Sequence, residues 1–216
     1  MQSYGPLHAK RFDILNDLKQ IPIQTGDIIY RQGDARGPLN LPFSKLVAHL
    51  TKSKFSHASM IFIRDETVFI LEVNDNGVGQ YRFIDWIDDC MTEDLVISRL
   101  KNVDGKLDQI QEQIDIILAK DPDYDYHFTD PDKFYCTESV NCIAEYVGLP
   151  ICKPEPLNDI ISWWQKPIFW VGNFFFKLLT GKGIPYDISF YYIGNEKRGM
   201  MASPNLDIIY KLPKDK

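Results

Sequence analysis

Cysteine and histidine are scarce in this chain, with four of each among 216 residues. The cysteines stand at 90, 136, 142 and 152 without a C-x-x-C pair, and Cys136 and Cys142 point about 240° apart around one helix. A disulfide framework and a zinc ribbon are thereby excluded as organising devices. A Lys/Arg-rich stripe with interleaved aromatics is also missing. The formal net charge of -6 and pI of about 5.2 argue against a general phosphate-binding surface, so nucleic acid is not an expected partner. Residues Met1 to Gln20 lack a basic region followed by an apolar run, and read instead as a polar amphipathic helix through Phe12, Leu15 and Leu18. A cytoplasmic location is the expectation without a leader, and a secreted or periplasmic one if a leader has been removed. Apolar runs fall short of the roughly 20 residues that cross a bilayer, so no transmembrane segment is expected. Internal repeats are absent, which excludes solenoids.

What is present fits a globular protein. Hydrophobic residues make up 44% and charged residues 25%, and the length can bury a sizeable core, so a single domain over 1–216 is expected. The pattern places a strand at Asp27–Arg31, a Gly/Pro-containing loop from Gln32 to Pro42, and a helix from Phe43 to Thr51. It continues with a short amphipathic turn at Phe83–Asp88, a strand at Asp94–Leu100 and a helix over Gly105–Ala119. Further strands are expected at Ile188–Ile193 and Leu206–Leu212.

Cys136 opens a helix whose apolar stripe is Val140, Ile143, Ala144 and Val147, with Gly148 as the stop. At a helix start, unpaired backbone N–H groups and the positive end of the dipole favour a thiolate and can hold an oxyanion. A small buried core cysteine would give the same pattern. Residues Ser56 to Asn74 read as two strands around Arg64-Asp65-Glu66-Thr67, a hairpin. With a two-residue loop at Asp65-Glu66, the pairs run Arg64:Thr67, Phe62:Phe69, Met60:Leu71, Ser59:Glu72 and His57:Asn74. His57 and Glu72 then share a face diagonally, within reach of a hydrogen bond. Asn74, directly opposite His57, is the rival orienter. Either acceptor would fix the imidazole tautomer and leave the other nitrogen for the thiol proton. A metal held by His57, Glu72 and Cys136 has no second Cys or His nearby to complete it, so neither metal nor cofactor is expected. His127 is a competing base without an obvious orienting partner.

Thr25-Gly-Asp-Ile-Ile-Tyr30, Lys54-Phe-Ser-His-Ala-Ser-Met60, Ile70-Leu-Glu-Val73 and Tyr135-Cys-Thr-Glu-Ser-Val140 occur in an order that resembles the permuted NlpC-type papain-like hydrolases, specifically the YiiX-like group. Histidine precedes cysteine, the reverse of the usual papain order. The resemblance implies Cys136 as nucleophile, His57 as general base and acid, and Glu72 as the residue orienting His57. Thr137 stands where the family usually has serine, a change that keeps a hydroxyl at the helix start.

The fold class expected is α+β, a circularly permuted papain-like arrangement with a mainly antiparallel, curved or barrel-like sheet packed against the nucleophile helix. The function expected is a cysteine hydrolase acting through an acyl-thioester on amide bonds of peptides or cell-wall fragments, or on lipid acyl bonds. Alternatives are a non-catalytic amino-acid, peptide or lipid-binding module and a thiol acyltransferase. Tyr30, Tyr126 and Tyr135 are the expected substrate-binding residues, with the stretch Asp121 to Asp130 walling the cleft. The aromatic-rich insertion at 160–181 is expected as a lid or extra core layer, or as an acyl-binding or peripheral membrane surface.

Overall fold

The computed structural model describes residues 14–33, 43–74, 76–89, 94–125, 127, 128 and 130–212. Thr25-Gly26-Asp27 anchors the first strand, β1 (Ile28–Arg31). Gly26 takes a positive φ of 92°, which brings its N–H 2.9 Å from the Ile61 carbonyl, and a Cβ there would stand 3.0 Å from Ile110. The fully buried Asp27 carboxylate accepts two 2.8 Å hydrogen bonds from the Arg99 guanidinium and one from the Gln24 N–H. A buried carboxylate is tolerable only with such partners. The Gly-Asp motif is therefore a clamp between strands rather than part of a reaction.

After α1 (Phe43–Leu50), β2 (His57–Arg64) and β3 (Thr67–Asn74) form the expected hairpin. Asp65 and Glu66 both have positive φ, 48° and 60°, the backbone of a two-residue type I′ loop. The loop sets the register, with Arg64 opposite Thr67, Phe62 opposite Phe69 and Met60 opposite Leu71. Next come β4 (Gly77–Arg82), α2 (Phe83–Asp89), β5 (Leu95–Leu100), α3 (Leu107–Lys120) and α4 (Cys136–Tyr146). The rest comprises β6 (Glu155–Pro156), α5 (Leu157–Ile160), α6 (Lys166–Thr180), β7 (Ser189–Phe190) and β8 (Leu206–Leu212). The main sheet is six-stranded and antiparallel in the order β4-β3-β2-β1-β5-β8.

Alternation divides the core between the two faces of this sheet. Ile28, Tyr30, Ala58, Met60, Phe62 and Leu71 meet Ile110, Ile114 and Ile117 of α3 and Val140, Ile143 and Ala144 of α4. Ile29, Ile61, Ile70 and Ile97 face Trp86 and Ile87 of α2, together with Ile14 and Leu18 of a helical turn at 14–18. Each fully buried Val or Ile on the α4 stripe contributes about 1.5–3 kcal/mol, so packing holds α4 on the sheet.

Two expectations need correction or limits. Of the strand expected at Ile188–Ile193, only Ser189–Phe190 pairs, with β6. Tyr191 instead donates its N–H to the Tyr135 hydroxyl and accepts from the Thr137 hydroxyl, so its backbone is committed to α4. Most of the leading helix and of the Gln32–Pro42 loop lies outside the described residues.

Candidate active site

The site is built where β2 and α4 begin. His57 is the first residue of β2 and Cys136 the first of α4, and both are buried. Glu72, on β3, reaches the imidazole with Oε1 2.6 Å from His57 Nε2. The ring N–H does not lie along this line, so the contact is an ion pair more than an aligned hydrogen bond. Nδ1 is the nitrogen left for Cys136, whose sulfur shares a hydrogen bond with the imidazole and accepts one from the Ala58 N–H. Asn74, the rival orienter, lines the cleft, and its side-chain oxygen accepts the Asn76 N–H in the β3–β4 turn.

Glu72 is held rigidly. Ser59 Oγ donates to Oε2 at 2.7 Å and Trp86 Nε1 to the same oxygen at 2.9 Å, while an Arg31 guanidinium nitrogen lies 3.4 Å from Oε1. The Arg31 guanidinium also sits over the Trp86 ring at 5.4 Å. Ser59, Trp86 and Arg31 escaped the sequence reading as site residues. For Ser59 a signal existed, since the hairpin count placed it directly opposite Glu72.

The charges reinforce one another. Burial alone would raise the Glu72 carboxyl, but His57, and after it Arg31 and Ser59, hold it down to about 2. Burial would lower the His57 imidazole, but Glu72 and Cys136 raise it to about 9. Burial pushes the Cys136 thiol up, and the charge and hydrogen bond of His57, aided by the Ala58 N–H, bring it below its ordinary value. Both shifts run in the direction that favours a thiolate facing an imidazolium, the form in which cysteine is a nucleophile. Elsewhere burial dominates, raising the Cys142 thiol and pushing that of Cys152 up to about 12.

α4 supplies the electrophilic end. Its N-cap is Tyr135, extended and without a capping side-chain bond, and the Tyr135 carbonyl accepts the N–H groups of Glu138 and Ser139. The helix start is thus not closed off by a side-chain cap beside the sulfur.

The cleft over Cys136 and His57 is walled by Val47 of α1 and Thr51 just after it, by Tyr124, Phe128 and Tyr135, and by the segment 190–193. Tyr135 therefore stands on the wall, as does part of the Asp121–Asp130 stretch. Tyr30 does not: it is fully buried, packed against Phe55 on the α3/α4 side of the sheet. Tyr126 lies outside the described residues. His127 is remote from the thiol in its contacts, with its ring against Phe176 and Nε2 3.2 Å from the Lys182 carbonyl. Among the described residues, no group of three or more His, Cys, Asp and Glu side chains is placed to hold a metal ion.

Comparison with known proteins bears on the fold and the family. Against curated proteins the sequence finds no match. Among solved structures, the chain is similar to the crystal structure of metalloprotein YiiX from Escherichia coli O157:H7, with a TM-score of 0.69 and 22% identity. The match covers 87% of this chain and 97% of that one, and shows a shared fold. Residues 22–164 match the family model described as permuted papain-like amidase enzyme, YaeF/YiiX, C92 family. With all four motifs inside that span, the chain belongs to the C92 family of permuted papain-like amidases.

Proposed function

We propose that the chain is a cysteine amidase in which Cys136, His57 and Glu72 cleave an amide bond of a peptide or cell-wall-type fragment. The observation that carries this reading is the buried relay from Glu72 to His57, 2.6 Å apart, and on to the Cys136 sulfur at an uncapped helix start. The Cys136 thiolate attacks the carbonyl carbon, and the oxyanion is held by backbone N–H groups at the start of α4. The His57 imidazolium gives its proton to the leaving amine as the C–N bond breaks, leaving a thioester on Cys136. Neutral His57 then takes a proton from water, whose oxygen attacks the thioester. The carboxylic acid leaves and gives its remaining proton to solvent, and the thiolate–imidazolium pair is restored. Glu72 keeps its charge throughout and holds the ring. YiiX is described as a metalloprotein; among the described residues of this chain no group of three or more His, Cys, Asp and Glu side chains is placed to hold a metal ion.

The test is iodoacetamide labelling of each cysteine against pH, read by mass spectrometry, on the wild type and His57→Ala. Cys136 should label well below pH ~8.5, the ordinary thiol value, and lose that advantage without His57. Cys142 and Cys152 should lag, because burial raises both thiols. Ordinary, His57-independent labelling of Cys136 would overturn the assignment. Turnover of amide substrates should vanish in Cys136→Ala.

A further inference from the structure

The helix α6 (Lys166–Thr180) begins two residues after the family match ends at 164, and it is apolar on both sides. Its inner side is anchored. Phe169 packs with Tyr135, Phe190 and Tyr192 of the cleft wall, Gln165 at its start donates to the His49 carbonyl at 2.6 Å, and Asn173 exchanges two hydrogen bonds with the Ile184 backbone. Its outer side is bare. Trp170 (56% exposed), Val171 (59%), Phe174 (59%) and Leu178 (65%) recur at helical spacing along one stripe, and Trp163 before the helix is 81% exposed. An apolar stripe of this kind on a surface helix marks an interaction site.

We infer that this outer face docks on a lipid bilayer surface bearing anionic headgroups. Three observations select that occupant. No acidic residue occurs between Asp159 and Asp187, whereas Lys166, Lys177 and Lys182 do, so a basic segment is set into a chain of net charge -6. Trp170 and Phe174 make up half of the stripe, and Trp163 and Trp164 stand exposed just before the helix, the composition of an interfacial helix. The helix has 15 residues, about 22 Å, too short to cross a hydrocarbon core of roughly 30 Å, so it can only lie in the surface plane. A second copy of the chain fits less well, because a two-fold contact through this face would set lysines against lysines with no acidic partner on the segment. Docking would place the cleft wall, through Phe169 and Phe190, next to the headgroup layer.

The experiment is co-sedimentation of the full chain with vesicles of phosphatidylcholine alone and of phosphatidylcholine with phosphatidylglycerol, at low and high salt, with tryptophan emission recorded in parallel. Binding should be roughly tenfold or more tighter on the anionic vesicles, weaken with salt, and shift the emission to the blue. The double variant Val171→Glu/Phe174→Glu should lose binding, and Lys177→Glu should lose the anionic preference while keeping its fold by circular dichroism. Cys136 alkylation should be unchanged in both variants, which separates this proposal from the catalytic one. Equal binding by the variants, equal affinity for neutral vesicles, or no binding would each overturn it. A concentration-dependent dimer that the double variant abolishes, without vesicle binding, would assign the face to a second copy instead.

Discussion

Replacing Glu72 by glutamine removes one charge while keeping the shape of the side chain. The amide oxygen of the new side chain can still accept from Ser59 or Trp86, so the scaffold around it is largely preserved. What disappears is the partner that keeps the buried His57 ring protonated. The difference between an ordinary value of 6.5 and about 9 corresponds to about 3 kcal/mol in favour of the charged ring. Glu72 is the largest favourable contributor and Cys136 the next, so loss of Glu72 alone should cost about 1.5–3 kcal/mol. A competing effect has the opposite sign, because the Glu72 charge by itself disfavours a thiolate on Cys136. It is the smallest influence on that thiol, below both the charge and the hydrogen bond of His57, so the indirect route through the imidazolium wins.

Near pH 8, between the lowered imidazole value of the variant and the wild-type value of about 9, the thiolate population, and with it the alkylation rate of Cys136, should fall by about tenfold in Glu72→Gln. The alkaline limb of turnover, which reports loss of the His57 proton at about 9 in the wild type, should move towards neutral pH. At strongly alkaline pH the labelling rates of variant and wild type should converge. An unchanged labelling profile with the alkaline limb still near 9, in a variant folded by circular dichroism, would refute the reasoning and return Glu72 to a purely structural role.

Stability should track the same groups. Glu72, held at about 2 against an ordinary 4.5, contributes stability present above about pH 4.5 and lost as pH falls towards 2. His57, raised from 6.5 to about 9, contributes stability present below 6.5 and lost as pH rises through 9. The lowered Cys136 thiol contributes with the opposite sign, gaining as pH rises, and offsets the His57 loss between 6.5 and 9, so the clear signature should be the acid flank: thermal melts should fall below about pH 4.5, and Glu72→Gln should flatten that fall. Gly194→Ala should destabilise the chain by more than about 2 kcal/mol in denaturant titration, because φ is 69° there and a Cβ would lie 2.0 Å from the Arg198 carbonyl oxygen. Amide turnover should fall with it, since the adjoining residues 190–193 wall the cleft. Glu66→Gly, at the φ of 60° in the hairpin turn, should instead raise stability by about 1 kcal/mol and leave turnover unchanged.

The hairpin half of the site was legible because short-range rules decide it. A two-residue turn fixes strand parity, and parity puts His57 and Glu72 on one face without knowledge of anything else in the fold. The same parity takes Tyr30 away from the cleft, since it follows Ile28 to the opposite face, across from Ala58, and ends in the core beside Phe55. The wall at 191–193 was misread as strand because Tyr191 bonds the hydroxyls of Tyr135 and Thr137 while the Tyr192 and Ile193 carbonyls accept the Met200 and Met201 N–H groups, partners that leave no periodic trace in sequence. Least legible was the meeting of thiol and imidazole. α4 packs on the Ala58 and Met60 face, while His57 follows Ser59 and Ile61 towards Trp86 on the other. Away from the strand ends, a cysteine on that helix and a histidine on that strand would be separated by the sheet. They touch because Cys136 is the first residue of its helix and His57 the first of its strand, so the sulfur can accept the Ala58 N–H at the sheet's margin and still reach the ring. A shift of either side chain by one turn or one strand pair would break that contact while preserving every local pattern. The position of Cys136 at a helix start therefore serves two ends: the helix N–H groups there favour the thiolate, and it is the place on this packed helix from which the opposite face of the sheet can be reached.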